Sequence, residues 1–189
     1  MVVSTDNVHK HLTNVSEWHK MAEASIFPPD SRLELINGEI LEMSPIGPNH
    51  ASHLKRLFHF FAQAIDFNQA ILSIQDPLQL GKLSEPEPDL MLLRPDPDFY
   101  QAQHPVAEDV FLIIEVADHS LSFDQNQKLR LYALHNIPEY WLLNLNESCL
   151  EVYRQPHDES YEDKSILHSG DSLKLLKLPD LTVNIKDIL

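Results

Sequence analysis

Apolar residues recur along the chain with two different periods, and the places where the period changes outline the elements. In TNVSEWHKMAEAS (13–25), Val15, Trp18, Met21 and Ala22 fall at helical intervals behind a capping-type residue, Thr13, which predicts a short amphipathic first helix. The following FPPDS breaks it. RLELINGEILEM (32–43) changes to a period of two and reads as two short strands about Asn37-Gly38, a dipeptide suited to a type I′ turn because both central residues need positive φ. Beyond a loop from Pro45 to Pro48, the segment HASHLKRLFHFFAQAIDF places Leu54, Leu57, Phe58, Phe61 and Ile65 on one stripe of a second, longer helix.

Three apolar runs come next, AILSIQ, PDLMLL and VFLIIEVA, the last two separated by a Pro-rich polar loop from Arg94 to Asp109, and they predict the centre of a sheet. Helical spacing returns from Ser122 to about His135, with Leu129, Tyr132 and Ala133 on or near one face. Asn136 is the expected stop before IPEYWLLNL. The remainder is expected to form short strands. This order predicts a mixed α/β fold in one domain spanning 1–189, with 1–12 as a flexible N-terminal tail, since no repeat, low-complexity tract or linker marks a second unit.

Composition narrows the class. A chain of 189 residues with 43% hydrophobic and 23% charged residues has ordinary globular usage, and a chain of this length buries about two-thirds of its unfolded surface. No apolar run approaches the roughly 20 residues that span a bilayer, and the start lacks the apolar region of a secretion signal, so a cytoplasmic protein without a membrane partner is expected. The single cysteine, Cys149, allows neither an internal disulfide nor a cysteine-based zinc pattern. The net charge of −15 opposes tight binding to nucleic acid, unless a few cations in a cleft and a bound divalent metal reverse the sign locally.

The chemistry concentrates on a few polar residues set in apolar strands. Glu115 interrupts VFLII-E-VA, a strand apolar enough to be covered on both faces, so its carboxyl must be paired, protonated or bound to a metal. Asp89 opens the apolar run of PEPDLMLL; if the two strands are neighbours, both carboxylates point to one face, where a shared proton or a hard divalent cation relieves their repulsion. Lys128 shares a helical face with Asp124 and Tyr132, a spacing that fits a solvated ion pair as well as a site residue. Glu34, between two Leu of an alternating strand, reads either as a solvent-facing residue or as a further carboxylate of the site. His50 and His53 are three apart at a helix start, and without an H-E-x-x-H pattern they read as polar helix residues rather than zinc ligands.

Over about residues 13–145 the ordered set RLELINGEILEMSP, a following His, PEPDLMLL, FLIIEVADHS, DQNQKLRLY and IPEYWLLN resembles the Uma-type endonuclease family of the PD-(D/E)XK superfamily. The resemblance implies a restriction-endonuclease-like α/β fold, a mixed central sheet flanked by helices, with an N-terminal helix and a β-hairpin. It further implies Mg²⁺, with Mn²⁺ as a substitute, bound by Asp89, Glu115 and the carbonyl of Val116. Where the superfamily carries lysine two residues after the Glu, this chain has Ala117, and the resemblance implies that Lys128 on the next helix takes the role, with Glu34 approaching from the hairpin. The expected activity is hydrolysis of DNA phosphodiester bonds by a homodimer. The rival expectation is a catalytically silent nuclease fold serving as a dimeric regulatory or protein-interaction module, which the charge of −15 favours.

Overall fold

The computed structural model describes residues 9–28 and 30–189. Helix α1 (Val15–Glu23) is capped by Asn14 rather than Thr13: the Asn14 side chain accepts from Glu17 N–H and the Glu17 carboxylate accepts from Asn14 N–H, both at 3.0 Å. Most of the expected tail, residues 1–8, lies outside the described residues, whereas Leu12 rests on Gly38 and Thr13 N–H donates to Gly38 O at 3.0 Å. Strands β1 (Leu33–Ile36) and β2 (Glu39–Glu42) form the expected hairpin. Asn37 and Gly38 both take positive φ, 51° and 79°.

Helix α2 (Pro48–Ala64) begins with Pro48 in its first turn, where the missing N–H costs nothing. It buries Leu54, Leu57 and Phe61; Phe58, expected on the same stripe, lies one residue round the helix from Leu57 and is exposed. Strands β3 (Ile71–Ser73), β4 (Leu90–Leu93) and β5 (Val110–Ala117) form one antiparallel half of a six-stranded sheet. From β5 the chain crosses through α3 (Leu121–Phe123), a π-helical turn at Asp124–Lys128 and α4 (Leu129–Leu134) to β6 (Glu139–Asn144), which lies parallel to β5. A parallel neighbour requires such a crossover. Strands β7 (Cys149–His157) and β8 (Ser160–Leu167) complete the order β3-β4-β5-β6-β7-β8, and a small hairpin of β9 (Ser172–Lys174) and β10 (Thr182–Asn184) follows.

The closing strands are longer than the short ones expected: β7 has nine residues and β8 eight, and β8 is mostly exposed at the sheet edge, so its sequence carries no apolar alternation. Two cores cover the sheet. Leu112, Ile114, Val116, Trp141 and Leu143 pack under α2 and the C-terminal segment, while Met91, Ile113, Ala117, Tyr140 and Leu142 pack with Leu131 and Tyr132 of α4. Among the described residues no helix is long and apolar enough to cross a membrane.

Glu139, fully buried, ties the C-terminal segment to this sheet. Its carboxylate accepts from Arg154 (2.6 and 2.9 Å), Trp141 Nε1 (2.9 Å) and the backbone N–H of Leu176 (2.8 Å). Glu139→Ala leaves the Arg154 guanidinium without its carboxylate and is expected to cost about 3–5 kcal/mol, read from urea unfolding curves. A loss below about 1 kcal/mol would mean that water takes over the bonds.

Candidate metal centre

The register of β4 against β5 pairs Leu90 with Ile114, which brings Asp89, one residue before β4, opposite Glu115. Both side chains point to the face covered by α4, because Glu115 lies two residues from Ile113 and Ala117 and Asp89 two and four residues before Met91 and Leu93, all on that face. Asp89 N–H donates to Glu115 Oε2 at 3.3 Å, and Val116 N–H donates to Asp89 Oδ2 at 2.9 Å. The two carboxyls expected to converge therefore do so, at exposures of only 6% and 2%. Ala117 O accepts from Leu145 N–H on the β6 side, so ladder alternation turns the polar backbone groups of Val116 toward Asp89.

Lys128 lies inside this group and forms no surface pair. Its Nζ is 3.0 Å from Glu115 Oε1 and 3.2 Å from Glu34 Oε1, and the residue is 3% exposed. Tyr132, one turn on, donates its hydroxyl to Glu115 Oε1 at 2.6 Å. The π-helical turn widens the helix just where Asp124 and Lys128 both face inward, and such turns recur at functional sites. Glu34 is buried on β1 with Leu35 and Ile36, so the solvent-facing alternative for it fails.

Three residues to which the sequence pattern gave no role in the site join it, His50, Gln75 and Asp124. His50, read as a polar helix residue, sits at the start of α2 with Nε2 3.0 Å from Asp89 Oδ1, and Gln75 Nε2 donates to the same oxygen at 3.2 Å. The family-like position of a His after RLELINGEILEMSP is the signal that could have found it. Asp124, buried beside Lys128, accepts from Ser120 Oγ at 2.5 Å. His53 instead turns back to Asn49 O and is half-buried.

Four carboxyl groups, of Glu34, Asp89, Glu115 and Asp124, surround one ammonium, and the charge imbalance shows in their proton affinities. Burial pushes Glu115 up to about 8, against the pull of Lys128 and with the push of Asp89, Asp124 and Glu34. Burial likewise raises Asp124 to about 6. For Asp89 burial is outweighed by hydrogen bonds from His50 and Val116 N–H and by the charges of His50 and Lys128, which hold it below the usual carboxylate range. Burial disfavours the charge on Lys128, but the acidic groups around it outweigh that and raise its pKa above the ordinary lysine value. Asp89 raises His50 by its hydrogen bond and charge, against the effect of burial.

The donor chemistry of this environment suits a divalent cation on two grounds, while among the described residues no three of its carboxylates bring donor atoms within 4.8 Å of one another. Asp89, Glu115 and Glu34 offer only hard oxygen donors, as Mg²⁺ and Mn²⁺ prefer, and Glu34 Oε2 is buried without a hydrogen-bond partner among the described residues. The site opens to a cleft of about 460 Å³ rimmed by Arg32, Glu42, Glu87, Asp118, His119 and Gln127.

A mixed sheet with an Asp and a Glu converging from adjacent strands beside a buried lysine defines a protein of the restriction-endonuclease-like class. The chain belongs to the Uma2 family, whose model, described as "putative restriction endonuclease", matches residues 15–186. Among solved structures it is similar to a "putative nuclease belonging to DUF820" from Anabaena variabilis, with a TM-score of 0.71, 17% identity, and coverage of 93% of this chain and 96% of that one. Among curated proteins nothing matches.

Proposed function

We propose that the chain is a metal-dependent endonuclease that hydrolyses DNA phosphodiester bonds, with Mg²⁺, or Mn²⁺ in its place, held by Asp89, Glu115 and the carbonyl of Val116. The observation that carries this reading is the convergence of Asp89 and Glu115 beside buried Lys128. The metal, when bound, supplies a Lewis acid that activates water and offsets the charge gathering on the phosphate. The chain's own residues do the rest. His50, Gln75 and Val116 N–H fix the Asp89 carboxylate, and Tyr132 and Lys128 fix that of Glu115. Because the surrounding carboxylates keep Lys128 protonated, it acts as a fixed positive charge and hydrogen-bond donor toward the phosphate, not as a base. Glu34 holds the Lys128 ammonium from the hairpin side and keeps its second oxygen without a hydrogen-bond partner among the described residues.

A second reading, the silent fold kept as a dimeric protein-interaction module, is favoured by the net charge of −15 and by the acidic rim of the cleft. Thermal melts with Mg²⁺ or Mn²⁺, run beside a supercoiled-plasmid cleavage assay, separate the two. A working site gains stability by mass action, about 2.7 kcal/mol at a metal concentration of 100 Kd, and nicks the plasmid. Melts indifferent to both metals would sink the endonuclease reading and leave the module.

A further inference from the structure

Away from the cleft, three ligand-type side chains from remote segments meet. His19 on α1 places Nε2 2.9 Å from both carboxylate oxygens of Glu85, a residue of the connection between β3 and β4. His104, in the loop before β5, lies with its ring 6.1 Å from that of His19. One donor atom of each lies within 4.8 Å of the others, the only such trio of His, Cys, Asp and Glu among the described residues.

The Glu85 carboxylate is the unusual member. Its side chain is 3% exposed, and among the described residues its ion-pair partner is His19, with no Lys or Arg beside it. A buried carboxylate ordinarily has a permanent cation or a full set of donors. The two histidines are open to solvent, the His19 side chain at 44%, so the trio forms a shallow site with a buried floor and an entry path.

We propose that His19, Glu85 and His104 form a second metal site, taking Zn²⁺ through two imidazole nitrogens and one carboxylate oxygen, with water in the fourth position. This donor set is suited to a borderline transition metal and foreign to Mg²⁺, which prefers oxygen throughout. The trio therefore discriminates against Mg²⁺ by its donor type. Bound Zn²⁺ clamps α1 and the loop before β5 onto the β3–β4 connection. Glu85 in turn pairs through its backbone with Leu35, its N–H 2.7 Å from Leu35 O, and Leu35 is the neighbour of Glu34 in the cleft. The clamp thus fixes the strand that carries Glu34.

The full chain, stripped with a chelator and titrated calorimetrically with Zn²⁺, is expected to bind one equivalent at this trio. His104→Ala removes an exposed side chain and leaves the fold intact. It should weaken that binding by more than about 100-fold, the upper end of what losing even a supporting contact to a metal ligand costs. His19→Gln should do the same, while Asp89→Asn keeps the site. Co²⁺ in place of Zn²⁺ should give the visible absorption of a four-coordinate site in the wild type and in Asp89→Asn, and lose it in His104→Ala. Wild type that binds no Zn²⁺, or binding unchanged in His104→Ala, would overturn the proposal and leave His19 and Glu85 as a hydrogen-bonded pair. Loss of binding in Asp89→Asn alone would overturn it as well, by moving the ion to the cleft.

Discussion

Lys128→Met is expected to lower the rate of plasmid cleavage in Mg²⁺ by about 10²–10³-fold, the usual cost of removing one electrostatic donor from a catalytic site, while DNA binding changes far less. The expectation follows from position: Nζ lies 3.0 Å from Glu115 and 3.2 Å from Glu34, the ammonium in direct contact with the carboxyl cluster. Since Lys128 is buried among carboxylates, the same substitution is also expected to cost about 3–5 kcal/mol of stability, so rates are compared where urea curves show both proteins folded. Relocation separates catalysis from folding. In the double variant Ala117→Lys, Lys128→Met the ammonium returns from β5, two residues past Glu115 and on the same face. Ala117 is fully buried, so the larger side chain costs about 1–3 kcal/mol in overpacking, yet part of the lost rate should come back. A Lys128→Met protein that cleaves as fast as wild type would reduce Lys128 to a structural counter-ion.

What could be read from the sequence divides along the range of the interactions. The Asn37-Gly38 hairpin is a local matter of φ, and the carboxylates in apolar strands announce themselves because burial makes them expensive; these features, with the family resemblance, predict Asp89, Glu115, Lys128 and Glu34 as neighbours, and the fold brings them together. A histidine at a helix start looks the same whether it faces solvent or a strand end 39 residues away, so spacing alone gives His50 no place in the site. The trio of His19, Glu85 and His104 is invisible to any spacing rule, since tertiary packing alone joins segments 66 and 19 residues apart. The π-helical turn escapes for a different reason: DQNQK has ordinary helical composition, and the widening answers the demand that Asp124 and Lys128 both face inward.

Glu115→Gln is expected to abolish stabilisation by Mn²⁺ while leaving the metal-free chain as stable as wild type or more so. In the folded chain Glu115 holds its proton up to about pH 8, against an ordinary carboxyl value of 4.5, so between these values the folded state binds more protons than the unfolded one. Metal-free stability of the wild type therefore falls as pH rises through that window, and this part of the slope disappears when the residue cannot ionise. Gln keeps the shape and can still accept from Tyr132 and Lys128, so the advantage of the variant should be absent below pH 4.5 and grow toward pH 8. Adding Mn²⁺ inverts the comparison: the wild type gains about 2.7 kcal/mol at 100 Kd, whereas the variant, one anionic ligand short, gains little. Melting curves across pH, with and without Mn²⁺, measure all four states. A variant that instead loses about 3–5 kcal/mol at neutral pH without metal would identify Glu115 as the indispensable partner of Lys128, and the cluster as a buried ion-pair network rather than a metal centre.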